Sequence, residues 1–137
     1  MLDLTQPRDA RIDRRLREET IAFLSTVRPD GRPHLVPIWF LWDGETILIF
    51  SQPANQKVRN LRQNPRAMLA LERGGDAPVI LIEGEATLLD EGAAAATDPA
   101  YVEKYAAGMA NLGMDAAQMA AVYRQPIRIT PTKFIES

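Results

Sequence analysis

The chain has 137 residues, of which 46% are hydrophobic and 25% charged, as expected for one globular domain over residues 1–137. The absence of cysteine excludes disulfides, thiolate catalysis and thiolate-bound metals. The net charge of −2 argues against nucleic-acid partners. The sequence has no apolar run of about 18 residues, as a membrane span would need, and no secretory signal. We therefore expect a cytoplasmic protein.

The first part of the chain predicts one helix followed by three strands. Over residues 9–24, the stripe Ile12, Leu16, Thr20 and Phe23 recurs every three or four positions with Arg and Glu between, which is typical of an amphipathic helix. The turn signatures Pro29-Asp30-Gly31-Arg32 and Asp43-Gly44 then separate short runs rich in β-branched and aromatic residues. We expect strands over residues 22–27, 33–41 and 46–51, joined as an antiparallel meander.

The rest of the chain adds three helical segments and three strands. A short helix over residues 54–63 ends at Asn64-Pro65, because the residue before a proline disfavours helical backbone. Asp98-Pro99 begins a second helix, Gly113 interrupts it, and Asp115 caps a third. The remaining strands are expected over residues 67–71, 79–89 and 126–135. Six strands with inserted helices and no βαβ unit predict a mainly β (α+β) fold, a small antiparallel barrel with short flanking helices.

A cationic segment without acidic residues lies between Glu45 and Glu72. Its Lys57 falls in the first turn of the short helix, where the helix dipole disfavours a cation by about 0.3–1 kcal/mol. Because free N–H groups at a helix N-terminus and a nearby lysine together bind phosphate, we expect Lys57 to hold a phosphate, with Ser51 and Gln56 as hydrogen-bonding neighbours. The alternative is an ordinary solvated cation, and it applies equally to Arg59, Arg62 and Arg66.

The strand over residues 33–41 carries further candidates. Pro37 cannot donate to a sheet, so this strand lies at an edge or bends beside another group, such as the face of an aromatic ring. Trp39 and Trp42 are expected in the core, in a subunit interface or against a ring. His34 is the only histidine, which excludes a multi-histidine metal site, and no catalytic constellation is present. Catalytic residues therefore stay unassigned, no metal is expected, and any enzymatic chemistry would come from a cofactor.

Several short segments follow one another in an order that is more specific than any of them alone. They are Pro29-Asp30-Gly31-Arg32-Pro33, Val36-Pro37-Ile38-Trp39-Phe40, Ile49-Phe50-Ser51 with Gln56-Lys57-Val58-Arg59-Asn60-Leu61, Asn64-Pro65-Arg66, Glu83-Gly84-Glu85-Ala86 and Pro126-Ile127-Arg128-Ile129-Thr130-Pro131-Thr132. Over nearly the whole chain, this order resembles the pyridoxamine 5'-phosphate oxidase-like (PPOX-class) superfamily of flavin and deazaflavin proteins. Asp98-Pro99-Ala100-Tyr101 with Lys104-Tyr105 resembles its branch that uses the deazaflavin coenzyme F-420.

The resemblance implies a six-stranded antiparallel split β-barrel, the FMN-binding split barrel, which forms a homodimer with the cofactor between subunits. It implies that Lys57 binds the cofactor phosphate with help from Ser51 and Gln56, and that the ring system is lined by Val36, Pro37, Ile38 and Trp39. The sequence lacks the C-terminal arginine- and histidine-bearing segment that holds pyridoxine phosphate, and Phe134 stands where this branch usually has tryptophan. We therefore do not expect vitamin B6 oxidation.

These observations predict an oxidoreductase that uses coenzyme F-420 for hydride transfer to a small organic substrate. F-420 carries a phosphodiester and a glutamate tail, so Arg59 is also expected to contact the cofactor, with Arg62 or Arg66 beside it. One alternative is an FMN-dependent oxidase or flavin reductase of the same fold, for which one phosphate and Lys57 suffice. Another is a protein that binds flavin, haem or a related tetrapyrrole without turnover, with His34 as the only histidine for haem iron.

Overall fold

The architecture is that of a computed structural model, which describes residues 1–90 and 98–137. These residues form four helices and seven strands. The helices are α1 (Pro7–Glu18), α2 (Gln56–Gln63), α3 (Pro99–Asn111) and α4 (Ala116–Val122). The strands are β1 (Ala22–Val27), β2 (Pro33–Ile38), β3 (Leu41–Trp42), β4 (Ile47–Ser51), β5 (Arg66–Leu71), β6 (Ile80–Leu88) and β7 (Gln125–Glu136). In the described part of the chain, no helix combines the length and the apolar character that crossing a bilayer requires.

All seven strands join one antiparallel sheet in the order β2-β1-β5-β6-β7-β4-β3. The long strands β6 and β7 pair along their length, with a register shift between Glu83 and Gly84. A Cβ at Gly84 would lie 2.8 Å from the backbone oxygen of Thr130, so the close approach of the two strands requires glycine here. Such a shift bends the bulged strand, and the sheet curls into a half-barrel.

The main core fills the inner face of this curled sheet. Two helices cover it, with Ile12 and Leu16 four residues apart on α1 and Val58 and Leu61 three apart on α2. Each of these side chains is at most 4% exposed. Burial of one such side chain contributes about 1.5–3 kcal/mol to folding. The fully buried strand residues that meet the helices include Leu24, Ile47, Ile49, Leu69, Ile82, Ile127 and Ile129.

The sheet has seven strands where the sequence predicted six, because the strand expected over residues 33–41 is broken. β2 ends at Ile38, and β3 forms a separate strand at the opposite edge of the sheet. At the break, the backbone N–H of Phe40 donates to the hydroxyl oxygen of Tyr105 at 2.8 Å. This hydrogen bond joins residues 65 apart in the sequence, so local pattern reading did not detect the break.

The first helix is shorter than the predicted one. It ends at Glu18, and the backbone of Glu19 is already extended, with φ −74° and ψ 142°. Phe23 was assigned to the helical stripe, but it lies on β1, on the partly exposed face of the sheet. The strand predicted over residues 22–27 is confirmed, and the remaining predicted helices and strands lie within two residues of their observed bounds.

Aspartate caps set the starts of α3 and α4. The carboxylate of Asp98 accepts hydrogen bonds from the N–H groups of Ala100 and Tyr101 at 3.0 and 3.3 Å. Asp115 and Gln118 form a reciprocal capping box. Both caps were predicted from the sequence. The helices that they begin hold a second apolar cluster against β4, made of Phe50, Tyr101, Tyr105, Met109 and Met119.

Candidate functional site

A cleft of about 320 Å³ lies where the end of β2 meets the second apolar cluster. This volume is within the range of roughly 300–1,000 Å³ that small-molecule sites occupy. Pro37, Ile38 and Trp39 line it from the β2 side, and the cluster contributes Phe50, Tyr101, Met119 and Tyr123. Lys57 is the one charged residue among the lining residues in the described part of the chain. The cleft is therefore an apolar and aromatic space with one cation.

Lys57 is half-buried, and the described residues give its charge no partner. Within residues 1–90 and 98–137, its ammonium group makes no hydrogen bond and no ion pair. Burial lowers the pKa of Lys57, because a charge that loses water costs free energy unless a counter-charge replaces it. The first turn of α2 carries no acidic residue, and the N-cap residue Asn55 makes no side-chain cap. This corner therefore has the electrostatics of an anion site.

The polar side chains predicted to assist Lys57 form hydrogen bonds with residues close to them in the sequence. Ser51 is fully buried, and its hydroxyl donates to the carbonyl of Gln52 at 2.9 Å. The side-chain amide of Gln56 donates to Asn60 at 2.7 Å. The guanidinium of Arg59 donates to the side-chain oxygen of Gln56 and to the carbonyl of Ala54, at 2.5 and 2.9 Å. The residues predicted to bind a cofactor thus divide: the cleft brings together Pro37, Ile38, Trp39 and Lys57, while Val36, Ser51, Gln56 and Arg59 do not line it.

Trp39 is held in a fixed orientation at the edge of the cleft. Its ring stacks on that of Tyr105, with centroids 4.5 Å apart and an angle of 7° between the planes. A Cβ at Gly108 of α3 would lie 2.9 Å from the same indole, so glycine makes room for the ring. One tyrosine and one glycine of α3 therefore decide where this wall of the cleft stands.

The backbone behind Trp39 is fixed by two further side chains of α3. The hydroxyl of Tyr105 accepts a hydrogen bond from the N–H of Phe40 at 2.8 Å and donates one to the carbonyl of Thr20 at 2.8 Å. The ammonium of Lys104 donates to the carbonyl of Phe40 at 2.9 Å and lies 3.9 Å above the centre of the Phe40 ring. Burial lowers the pKa of Lys104 to about 8, against an opposing effect of Glu19. Lys104 and Tyr105 thus hold both backbone polar groups of Phe40.

Family comparison agrees with this geometry. The model of the pyridoxamine 5'-phosphate oxidase family matches residues 9–136, nearly the full length of the chain. The chain belongs to the pyridoxamine 5'-phosphate oxidase family. The superfamily resemblance predicted from the sequence is therefore confirmed.

Solved structures similar to this family member differ in what they bind. An F420 reductase is 27% identical, with a TM-score of 0.70 over 90% of this chain and 94% of that one. A conserved hypothetical protein from Mycobacterium tuberculosis is 26% identical, with a TM-score of 0.74 over 93% of this chain and 82% of that one. The heme storage protein HutZ from Vibrio cholerae is 15% identical, with a TM-score of 0.66 over 93% and 92%, which shows the fold alone.

The residues of the cleft fit a flavin-type cofactor. A planar, largely apolar ring system suits the walls formed by Pro37, Ile38 and Trp39, and a phosphate suits the unpartnered ammonium of Lys57. Such a group would supply redox chemistry, while the protein would supply position and charge. The described residues contain no cluster of histidine and acidic side chains that would hold a metal ion.

Two aromatic candidates of the sequence lie outside the cleft. The indole N–H of Trp42 donates to Asp13 at 2.8 Å and its ring packs edge-on against Phe134, so Trp42 belongs to the main core. His34 is half-buried on β2, and its Nδ1 atom is buried without a hydrogen bond. Burial, Arg28 and Lys57 lower the pKa of His34 below its ordinary value.

Sequence reasoning missed the part of the site that α3 and α4 contribute. Tyr101, Tyr105 and Met109 recur every four residues, which predicts that one face of α3 is buried. This spacing does not predict which part of the fold that face contacts. The same limit applies to Met119 on α4. Which strand end these helices cover is decided by contacts between residues far apart in the chain, such as the Tyr105 stack on Trp39.

Proposed function

We propose that this chain is an oxidoreductase that binds coenzyme F-420 and catalyses hydride transfer to a small organic substrate. The observation that carries the proposal is the half-buried ammonium of Lys57, which lacks a counter-charge in the described residues and faces an aromatic cleft. The 27% identity to an F420 reductase, over 90% of this chain, supports the choice of cofactor.

Each group around the cleft has a part in the proposal. Lys57 holds the cofactor phosphate together with the first turn of α2, where a negative group also meets the positive end of the helix dipole. Pro37, Ile38 and Trp39, with Val36 behind them, lie along the ring system. Ser51, Gln56 and Arg59 order the junction between β4 and α2, and Arg59 also exchanges its present partners for the anionic tail of F-420. The bound deazaflavin would supply the hydride.

An FMN enzyme of the same fold is the second candidate, and one observation favours it. Arg59 already donates to Ala54 and Gln56, so its charge is committed within the helix region. Under this alternative, a single phosphate on Lys57 satisfies the site, and removal of the Arg59 charge leaves affinity nearly unchanged. The third candidate is binding of haem or flavin without turnover. Its support is the similarity to HutZ, which extends to the fold alone.

The second subunit belongs to the proposal as well. Leu35 is 64% exposed and Phe23 is 37% exposed on the same side of β1 and β2 as Pro37, and Ile21, directly before β1, is 41% exposed. Pro37 and Ile21 also line the cleft, so the apolar sheet face continues into it. We therefore place the partner of a homodimer on this face, where it completes the cleft. Light scattering should give twice the mass of one chain for wild type and the single mass for Leu35→Glu; a monomeric wild-type protein would contradict this placement.

Parallel fluorescence titrations with F-420, FMN and riboflavin test the cofactor assignment. We expect F-420 to bind more tightly than FMN, and riboflavin, which has no phosphate, to bind most weakly. Arg59→Gln should weaken F-420 binding in a salt-dependent way, because it removes a charge that meets the anionic tail. Arg73→Gln, which is exposed and outside the acid-free segment, is the matched control. Turnover is followed as reoxidation of reduced F-420 with enones and quinones as acceptors.

Equal affinity for all three ligands would overturn the phosphate-binding role. Tighter binding of FMN, with Arg59→Gln unchanged, would instead select the FMN alternative. Tight binding of F-420 without reoxidation by any acceptor would favour a carrier.

A further inference from the structure

His34 lies on β2, on the face of the sheet that α2 covers. It pairs with Thr26 across the β1–β2 ladder, so the two side chains lie on the same face. Thr26 is 1% exposed, and its hydroxyl accepts a hydrogen bond of 3.0 Å from the amide of Asn60 on α2. Two hydrogen bonds, from Gln56 to Asn60 and from Asn60 to Thr26, therefore connect the first turn of α2 to the strand partner of His34.

The Nδ1 atom of His34 is the one buried side-chain nitrogen or oxygen without a hydrogen bond in the described part of the chain. A buried polar atom without a partner costs about 1–3 kcal/mol. Thr26, its partner across the ladder, accepts from the amide of Asn60 and makes no hydrogen bond with Nδ1. The imidazole is thus a polar group that the described fold leaves unsatisfied, and Lys57, a cation without a partner among the same residues, acts on it electrostatically.

Among the described residues, the two charged groups that act on the imidazole are cations from separate parts of the fold. Arg28, in the turn after β1, donates to the carbonyl of Pro33 at 2.7 Å, directly before His34 in the sequence. Lys57 comes from α2. Burial first, then Arg28 and then Lys57 lower the pKa of His34 below 6.5. Burial and both cations therefore disfavour the protonated imidazole in the free protein.

We infer that His34 joins Arg28 and Lys57 in one anion site, and that it takes up a proton from solvent when the phosphate of the cofactor binds. The inference rests on the proposed function, because it names His34 as a further ligand-linked group of the same site. No bond of the ligand is made or broken. An anion between the three groups replaces the repulsion from two cations with attraction, and the imidazolium can then donate to it from a ring nitrogen.

The sign of the pH dependence follows from this linkage. Because the anion raises the pKa of His34, the bound protein holds more protons than the free protein, and affinity increases as the pH falls through that range. A rise of one unit gives at most a tenfold increase in affinity. F-420 is the suitable ligand, because a phosphodiester keeps a constant charge between pH 5 and 8.

Because His34 is the only histidine, its ring protons can be titrated by NMR in tag-free protein without assignment of other residues. Sulfate, whose charge is constant above pH 4, is the first probe, with sodium chloride of equal ionic strength as control. We expect sulfate to raise the pKa of His34 by about one unit. In Lys57→Met the free-state pKa should be higher than in wild type, and the response to sulfate should be lost. Arg73→Gln should behave as wild type.

The cofactor gives the second measurement. The dissociation constant of F-420 should be about five- to tenfold lower at pH 5.5 than at pH 8 in wild type, and independent of pH in His34→Gln. A His34 titration that neither sulfate nor F-420 shifts would overturn the inference, even if F-420 binds tightly. If sulfate shifts the titration through Lys57 but neither F-420 nor FMN binds, the anion site stands and the proposed function fails.

Discussion

Two neighbouring regions of the cleft are built in opposite ways. In the Tyr105 wall (Trp39, Lys104, Tyr105 and Gly108), the ammonium of Lys104 and the hydroxyl of Tyr105 have partners within the chain, and the rings of Trp39 and Tyr105 are stacked. In the Lys57 corner (His34, Lys57 and the first turn of α2), an ammonium group and a buried imidazole nitrogen have none among the described residues. Since unsatisfied buried polar groups are costly, the wall contributes stability, and we propose that the corner gains its missing partner from a ligand.

The largest effect is expected on binding, in the corner. Lys57→Ala should weaken F-420 and FMN by about 1.5–3 kcal/mol, or roughly 10- to 150-fold, because it removes a charged hydrogen bond. Riboflavin affinity and the free energy of unfolding should change little, since the ammonium has no protein partner among residues 1–90 and 98–137. Titration and urea unfolding measure the two quantities. An unchanged dissociation constant for both phosphorylated ligands would remove Lys57 from the site.

In the Tyr105 wall, a substitution is expected to change stability more than ligand binding. Tyr105→Phe keeps the stack on Trp39 but leaves the buried N–H of Phe40 without its acceptor, so it should lower the free energy of unfolding by about 1–3 kcal/mol. Tyr123→Phe, at a cleft tyrosine that is partly exposed, is the control and should change stability much less. Equal effects of the two substitutions in urea unfolding would contradict the assigned role of the Tyr105 hydroxyl.

The smallest effect concerns the charge of Lys104. Its pKa is lowered to about 8 in the fold, below the ordinary value of 10.5, so the unfolded chain binds more protons between these two values. Stability should therefore rise with pH from about 8 upwards. Because the ammonium is partly exposed, we expect less than about 1 kcal/mol. Urea unfolding at pH 7.5, 8.5 and 9.5 measures it, and Lys104→Met should reduce the rise to the part that the lowered pKa of Lys57 contributes with the same sign. A wild-type profile that falls over this range would contradict the assigned direction.

The sheet and its helices were largely predictable because their signals are local. Asp98 and Asp115 mark helix starts through capping, and turn residues mark the ends of strands. The seventh strand was not predictable, because the break after Ile38 depends on Tyr105, far along the chain. The short first helix was misjudged because Phe23 continues the helical spacing but faces outward on β1.

Only the part of the candidate site that comes from β2 and the start of α2 was predictable from the sequence. Pro37, Ile38, Trp39 and Lys57 belong to motifs that can be read in order, and the cleft contains all four. The roles of Lys104, Tyr105 and Gly108 depend on which strand α3 covers, and no local pattern encodes that.

The sequence by itself determined the family, most of the strands and helices, and the presence of a cation without nearby acids at the start of α2. Only the tertiary structure decided that this cation stays unpaired in the described chain, that it faces an aromatic cleft, and that His34 lies near it with an unsatisfied nitrogen. The physical reason is that periodicity and capping act over a few residues. Whether a buried polar group is satisfied depends on every chain segment that packs around it.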